Sequence, residues 1–181
     1  MAKSAPRADQ HFPPAELLFR RVHRANVKSD KRVTLDAFAL PDMSVNRESH
    51  GAKAGTVGSS AEALSGFDPA DWGVVAFAVL DIPPREPIWQ DGTLGHELLP
   101  RHVPVPGNFA HSEVRVFRLV GENRVWLTPR SGDGLGDDPD SAATRDPAPL
   151  DPGFHQRWRK RLALTARLVV EPVAPTVDDQ S

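Results

Sequence analysis

The sequence predicts a small α+β fold: a sheet-based single domain with few helices, followed by a disordered linker and a C-terminal amphipathic helix. Three observations carry that expectation. Residues 73–80 form a nearly unbroken apolar run, GVVAFAVL. Residues 112–119 and 124–128 show strand-like patterning on either side of a Gly-Glu-Asn turn. After Pro152, Phe154, Trp158, Leu162, Thr165 and Val169 recur at spacings of three and four, the period of one helical face.

Taken in chain order, residues 1–14 mix charges with Pro13 and Pro14 and show no period, which predicts a disordered leader. The compact domain is expected over residues 15–128. Within 16–23, Leu17, Phe19 and Val22 stand around Arg20 and Arg21, the pattern of a half-buried strand, while Leu17, Leu18, Val22 and Ala25 would equally mark one helical face; the strand is the preferred expectation. Residues 32–40 place Val33, Leu35, Ala37 and Ala39 on one parity and Thr34, Asp36 and Phe38 on the other, so a second strand is expected, ended by Pro41. Ser59 or Ser60 with Glu62 opens a short helix toward Phe67.

The run at 73–80 has no polar parity, which suits a strand buried on both faces and closed by Asp81-Ile82-Pro83-Pro84. Residues 83–106 hold six prolines and read as a long loop pinned by Ile88, Trp89, Leu94 and Leu98. A β-hairpin follows over 112–128. From 129 to 151 nearly every residue is Pro, Gly, Asp, Ser or Ala, with only Leu135 and Leu150 to bury, so ordering the segment would not recover its entropy cost. This predicts a disordered acidic linker. Asp151 as N-cap and Pro152 at the first helical position then open a helix over 152–171, stopped by Pro172.

Composition narrows the function classes. The 181 residues are 39% hydrophobic and 25% charged, enough for one core, while 18 prolines and 13 glycines shorten the regular part. The absence of cysteine excludes disulfides and thiolate metal sites. No apolar stretch approaches the ~18 residues of a membrane span, and the N-terminus lacks the apolar block of a signal peptide, so a soluble, cytoplasmic protein without membrane association is expected. A formal net charge of -2 gives no general attraction to nucleic acid.

Four polar groupings invite chemistry. His96, His102 and His111, with Glu97 and Glu113 nearby, are residue types found in zinc and non-haem iron sites, although their spacing matches no helical ligand pair. The order Arg20 and Arg21, Ser44, Glu113 is similar to the Arg, Ser/Thr, Glu order of ADP-ribosyltransferases. There an arginine holds the dinucleotide phosphates, a hydroxyl positions the ribose and a glutamate supports the oxocarbenium-like transition state; the serine-threonine-serine triplet is missing here. Asp133, Asp137, Asp138 and Asp140 lack the calcium-loop pattern. Arg157, Arg159, Lys160, Arg161 and Arg167 surround Trp158, so the last helix either contacts nucleic-acid phosphates or docks an apolar face of Phe154, Trp158 and Leu162 on its own sheet or on a protein partner. Docking is the preferred expectation.

Arg20-Arg21-Val22-His23, then Val27, Arg32, Ala37-Phe38 and Met43-Ser44-Val45-Asn46-Arg47, resembles the opening of a family of bacterial proteins with an Arg-Arg-Ile/Val-His start, an Ala-Phe and a Leu-Ser-Val-Asp block. Asn108-Phe-Ala-His-Ser-Glu-Val114 is similar to their Asn-Pro-Ala-His-Ala-x-Val. The resemblance covers residues 19–116, departs at Met43 and Phe109, and brings no activity with it. It implies His23, Phe38, Ser44 and His111 as residues to test.

With Glu113, the candidate catalytic set is therefore His23, Ser44, His111 and Glu113. No nucleotide-binding loop, nucleophile elbow or dinucleotide fingerprint is present, and no cofactor is expected. The expected function is a non-enzymatic accessory or protein-binding module of a multi-protein system, with ADP-ribosyl transfer and a histidine-carboxylate metal enzyme as the enzymatic alternatives.

Overall fold

The computed structural model describes residues 8–59, 68–82, 86–87, 94–105, 107–120, 123–128, 138–140, 142–147 and 152–173. A nine-stranded sheet dominates them. Its strands are β1 (Leu17–His23), β2 (Asp42–Arg47), β3 (Trp72–Ala78), β4 (Glu86–Pro87), β5 (Leu94–His102), β6 (His111–Val120), β7 (Asn123–Leu127), β8 (Thr144–Asp146) and β9 (Arg167–Val170). Two α-helices accompany it, α1 (Ala54–Ser59) and α2 (Pro152–Thr165). The fold is thus α+β and sheet-dominated, as the sequence predicts.

The strand order is β4-β5-β6-β2-β1-β3-β9, with β7 attached to β6 and β8 to β7. All pairings are antiparallel except β7 with β8. The ten-residue β6 is the organising strand. One of its edges pairs with β5 along its length, while β2 takes residues 111–115 and β7 takes 117–120. Where β2 and β7 meet, the Asp42 carboxylate accepts hydrogen bonds from Trp126 Nε1 at 2.8 Å and from Thr128 Oγ1.

β3 bears out the buried strand over Gly73 to Phe77, five consecutive buried residues covered on both faces, but it ends at Ala78: Val79 and Leu80 turn off in a 3-10 turn and Leu80 is exposed. On one face α2 lays Phe154, Trp158 and Leu162 against Leu18, Val75, Phe77 and Val116. Each such side chain contributes about 1.5–3 kcal/mol by leaving water. On the other face Ala52 and Val57, before and within α1, cover Phe19, Val74 and Ala76. Gly73 permits close approach, since a Cβ there would lie 2.5 Å from Val170 O and 2.8 Å from Pro172 Cδ.

Several expectations are corrected. Residues 32–40 form no strand but a 3-10 turn at Leu35–Ala37, which buries Ala37 and Phe38. Its carbonyls are satisfied by side chains, Ala37 O by Arg20 Nε at 2.6 Å and Leu35 O by Arg159 Nε at 2.8 Å, so no ladder is needed. The expected loop at 83–106 contains β5, paired with β6 at nine positions; its buried polar side chains masked the pattern. The helix expected to run to Phe67 lies outside the described residues beyond Ser59, as do Ile88 and Trp89; α1 precedes it.

The leader and linker also differ from expectation. Residues 8–14 are bound to the sheet by hydrogen bonds from and to Asp9, Gln10 and His11. In the stretch read as an acidic linker, Asp138 and Asp140 are buried and β8 pairs with β7; residues 129–137, 141 and 148–151 lie outside the described residues. Counting apolar groups missed this because arginines, not hydrophobic contacts, hold it. Finally, the C-terminal helix ends at Thr165, and Leu168, Val169 and Val170 extend along β3 as β9 rather than continuing to 171. The β-branched Val169 and Val170 suit a strand, which has no second partner strand among the described residues.

Candidate functional site

By strand parity all four catalytic candidates lie on one face of the sheet, and three of them sit together on β2 and β6. Ser44 stands opposite Glu113 and Asn46 opposite His111 in the β2–β6 register, while Arg101 of β5 flanks Glu113 from the other side. Arg21 lies on the same face, two residues along β1 from Phe19, which pairs with Asn46. His23 shares the face but stands at the far end of β1, where its Nδ1 accepts the Ala25 N–H at 3.2 Å and its ring meets Trp72 edge-on at 5.2 Å.

Glu113 is not a free carboxylate. Arg115 Nε donates to it at 2.8 Å, and the same guanidinium reaches Asp138 at 2.6 and 2.7 Å and Asp140 at 2.7 Å. Arg101 Nε holds Asp140 from a second direction at 3.1 Å. Arg115 also lies 4.0 Å over the Trp126 ring, which Arg145 approaches at 5.1 Å. Burial opposes the Arg115 charge, but hydrogen bonds and the negative charges of Asp138 and Glu113 outweigh it and hold its pKa above the ordinary value. Burial likewise works against ionised Asp138, and the Arg115 hydrogen bond overrides it and lowers that pKa. The cluster clasps residues 138–140 onto the sheet.

The histidines weighed as metal-ligand candidates, His96, His102 and His111, do not converge. His102 uses both ring nitrogens, Nδ1 accepting the Asp9 N–H at 2.8 Å and Nε2 bonding Phe109 O at 2.6 Å. His111 Nδ1 bonds Val103 O at 2.7 Å, and His96 packs 4.5 Å from the Phe154 ring. Among the described residues no three histidines or carboxylates gather as a metal set. Nor do Phe154, Trp158 and Leu162 offer a partner-binding face: at 4%, 1% and 0% exposure they belong to the chain's own core. The helical spacing holds from Phe154 to Leu162, where its target is the sheet beneath, and fails at Val169, which lies in β9.

Exposed apolar surface lies instead at the far end of α2. There Leu17, Phe77, Ala78, Leu164, Ala166 and Val169 line a groove of about 600 Å³, with Asp81 and Arg167 as its charged members. Leu164 is 77% and Val169 45% exposed. The groove adjoins β9, which ends the strand order.

Sequence reasoning also missed Arg47. It is 1% exposed, pairs with Glu16 at 2.9 Å, donates to Asp9 O at 2.6 Å and to His11 O, and lies 3.8 Å over the Phe12 ring. A signal existed, since Arg47 shares the parity of buried Met43 and Val45. Among the described residues no helix is long and apolar enough to cross a membrane. Comparison with protein-family models, curated proteins and solved structures finds no significant match.

Proposed function

We propose that this chain is a non-enzymatic accessory module that binds a protein partner, taking an extended apolar segment of it in the groove between the end of α2, β3 and β9. The carrying observation is the exposure of Leu164 and Val169 around that groove, beside a strand edge with no partner strand among the described residues. Exposed apolar side chains at a concave site favour association. An open edge adds main-chain hydrogen bonds to an extended peptide. Of the catalytic candidates, Glu113 is engaged by Arg115 and His111 by the Val103 carbonyl.

Selection of peptides from a displayed random library on the intact protein tests this reading. Enriched apolar sequences whose binding is lost in Leu164→Asp and Val169→Asp, and kept in Arg157→Ala, are the expected result. A library that yields no such sequence, or one that binds all variants equally, overturns it. The Ser44–Glu113 juxtaposition favours ADP-ribosyl transfer as the second reading. Transfer of label from nicotinamide dinucleotide, absent in Ser44→Ala, would promote it above the first.

A further inference from the structure

Residues 8–16 cross the sheet as a strap whose fastening depends on a neutral histidine. His102 is fully buried, and its ring has no spare position. Nε2 faces the Phe109 carbonyl at 2.6 Å, so it carries the proton and donates. Nδ1 is therefore the acceptor of the Asp9 N–H, 2.8 Å away. The Gln10 side chain completes the attachment, accepting from His102 N–H at 3.2 Å and donating to His102 O at 2.9 Å. A second imidazole, His50, lies stacked on His102, with centroids 4.4 Å apart and planes 17° from parallel.

We propose that this strap is an acid-released fastener: a proton on His102 can enter only at Nδ1, where it turns an acceptor into a donor facing the Asp9 N–H and expels the strap. The neighbourhood reinforces the step. Arg47 bonds Asp9 O, His11 O and Glu16, so a buried positive charge already sits at the strap. A protonated His102 adds a cation in contact with His50. Asp9 and Glu16 are the opposing negative groups. The Asp9 carboxylate lies 3.5 Å from His50 Nε2 and 3.8 Å from Arg47, and Glu16 is already held by Arg47 and Ser49.

Burial is the main cause that keeps both His50 and His102 below the ordinary histidine pKa of 6.5; Arg47 adds to it, while Asp9 works against it. The sign follows directly. The neutral rings favour the fastened state at neutral pH, and that preference declines as pH falls below the unfastened value. The strap also ends at the turn after β3, where Leu80 N–H donates to Pro14 O at 2.9 Å and Val79 N–H to Glu16 O at 3.0 Å. Its release would therefore loosen Val79–Asp81 beside the groove.

Amide hydrogen exchange on the intact chain, corrected for intrinsic rates, tests this between about pH 7.5 and about pH 5.5. Protection over 8–16 should fall by roughly tenfold or more and approach that of an open segment, while β6 stays protected far above it. His102→Gln should leave the strap loosely protected at both pH values. Because that buried substitution also threatens folding, His50→Phe provides the second arm and should shift the loosening to higher or lower pH while β6 stays protected. His155→Gln, outside the strap, should leave the pH profile of strap protection unchanged. Unaltered strap protection in acid, β6 protection falling to the level of the strap, or an identical pH profile in His50→Phe would each overturn the proposal.

Discussion

Arg115 and Asp138, 23 residues apart in sequence, form a two-point ion pair in which Nη1 lies 2.6 Å from Oδ1 and Nη2 lies 2.7 Å from Oδ2. Both side chains are almost wholly buried, at 1% and 4% exposure. Arg115→Met preserves much of the volume but leaves Glu113, Asp138 and Asp140 without this counter-charge. The expected loss is about 3–5 kcal/mol in urea unfolding. A loss below about 1 kcal/mol would show that the clasp contributes no more than an exposed ion pair.

That clasp also explains which parts of the fold were legible. β3 was readable because both of its faces are apolar, and β6 with β7 because their patterned residues flank a Gly-Glu-Asn turn. β5 was not, since Gly95, His96 and Glu97 are buried among charges and an aromatic ring, and propensity does not register such neighbours. Asp138, Asp140 and Asp146 were hidden for the same reason: the arginines that hold them lie far away in sequence. Of the candidate site, the sequence showed Ser44, His111 and Glu113 as residue types worth testing. Only the strand register shows them on one face, and only the Arg115 contacts show that Glu113 is engaged.

Trp158 lies within the core at 1% exposure, whereas Arg161 is exposed and Arg159 partly so. Trp158→Ala should therefore cost about 3–5 kcal/mol of stability. Neutralising Arg159 and Arg161 together should cost about 1 kcal/mol or less, despite the Arg159 bond to Leu35 O. Thermal and chemical unfolding of the two variants check the order. The opposite ranking, joined to salt-dependent nucleic-acid binding, would reinstate the basic surface of α2 as functional.

Gly73→Ala is expected to be damaging despite adding only a methyl group. Its Cβ would sit 2.5 Å from the Val170 carbonyl, so β9 must move away from β3. A destabilisation of about 1–3 kcal/mol should accompany loss of amide protection over Arg167–Val170. Gly55→Ala, in α1 with nothing within 4 Å of the new Cβ, is the control and should be neutral or stabilising by up to about 1 kcal/mol. Equal behaviour of the two variants would refute the close β3–β9 approach.

Stability should fall in acid in two windows. His50, His102 and His155 are held below their ordinary pKa of 6.5, first by burial, so the unfolded chain takes up protons there before the folded one. Their contribution is present above about pH 6.5 and is lost as pH falls through the folded values. Glu16 and Asp138 are lowered from 4.5 and 3.8 because arginine hydrogen bonds override burial, so a second loss follows as pH falls below those values. Denaturant midpoints measured from neutral to acid pH should decline in both windows. A midpoint that rises on passing below pH 6.5 would contradict the first.

The divided edge of β6 bears on the order of folding events. β5, β6 and β7 are consecutive, so their antiparallel meander closes over short loops at low entropic cost, whereas β2 must return from far upstream to reach residues 111–115. The meander is thus the early unit, and the uncovered half of β6 is its template for the late arrival of β1, β2 and β3. Asp42, bonded to Trp126 and Thr128 across the seam, sets the register in which the late unit joins the early one.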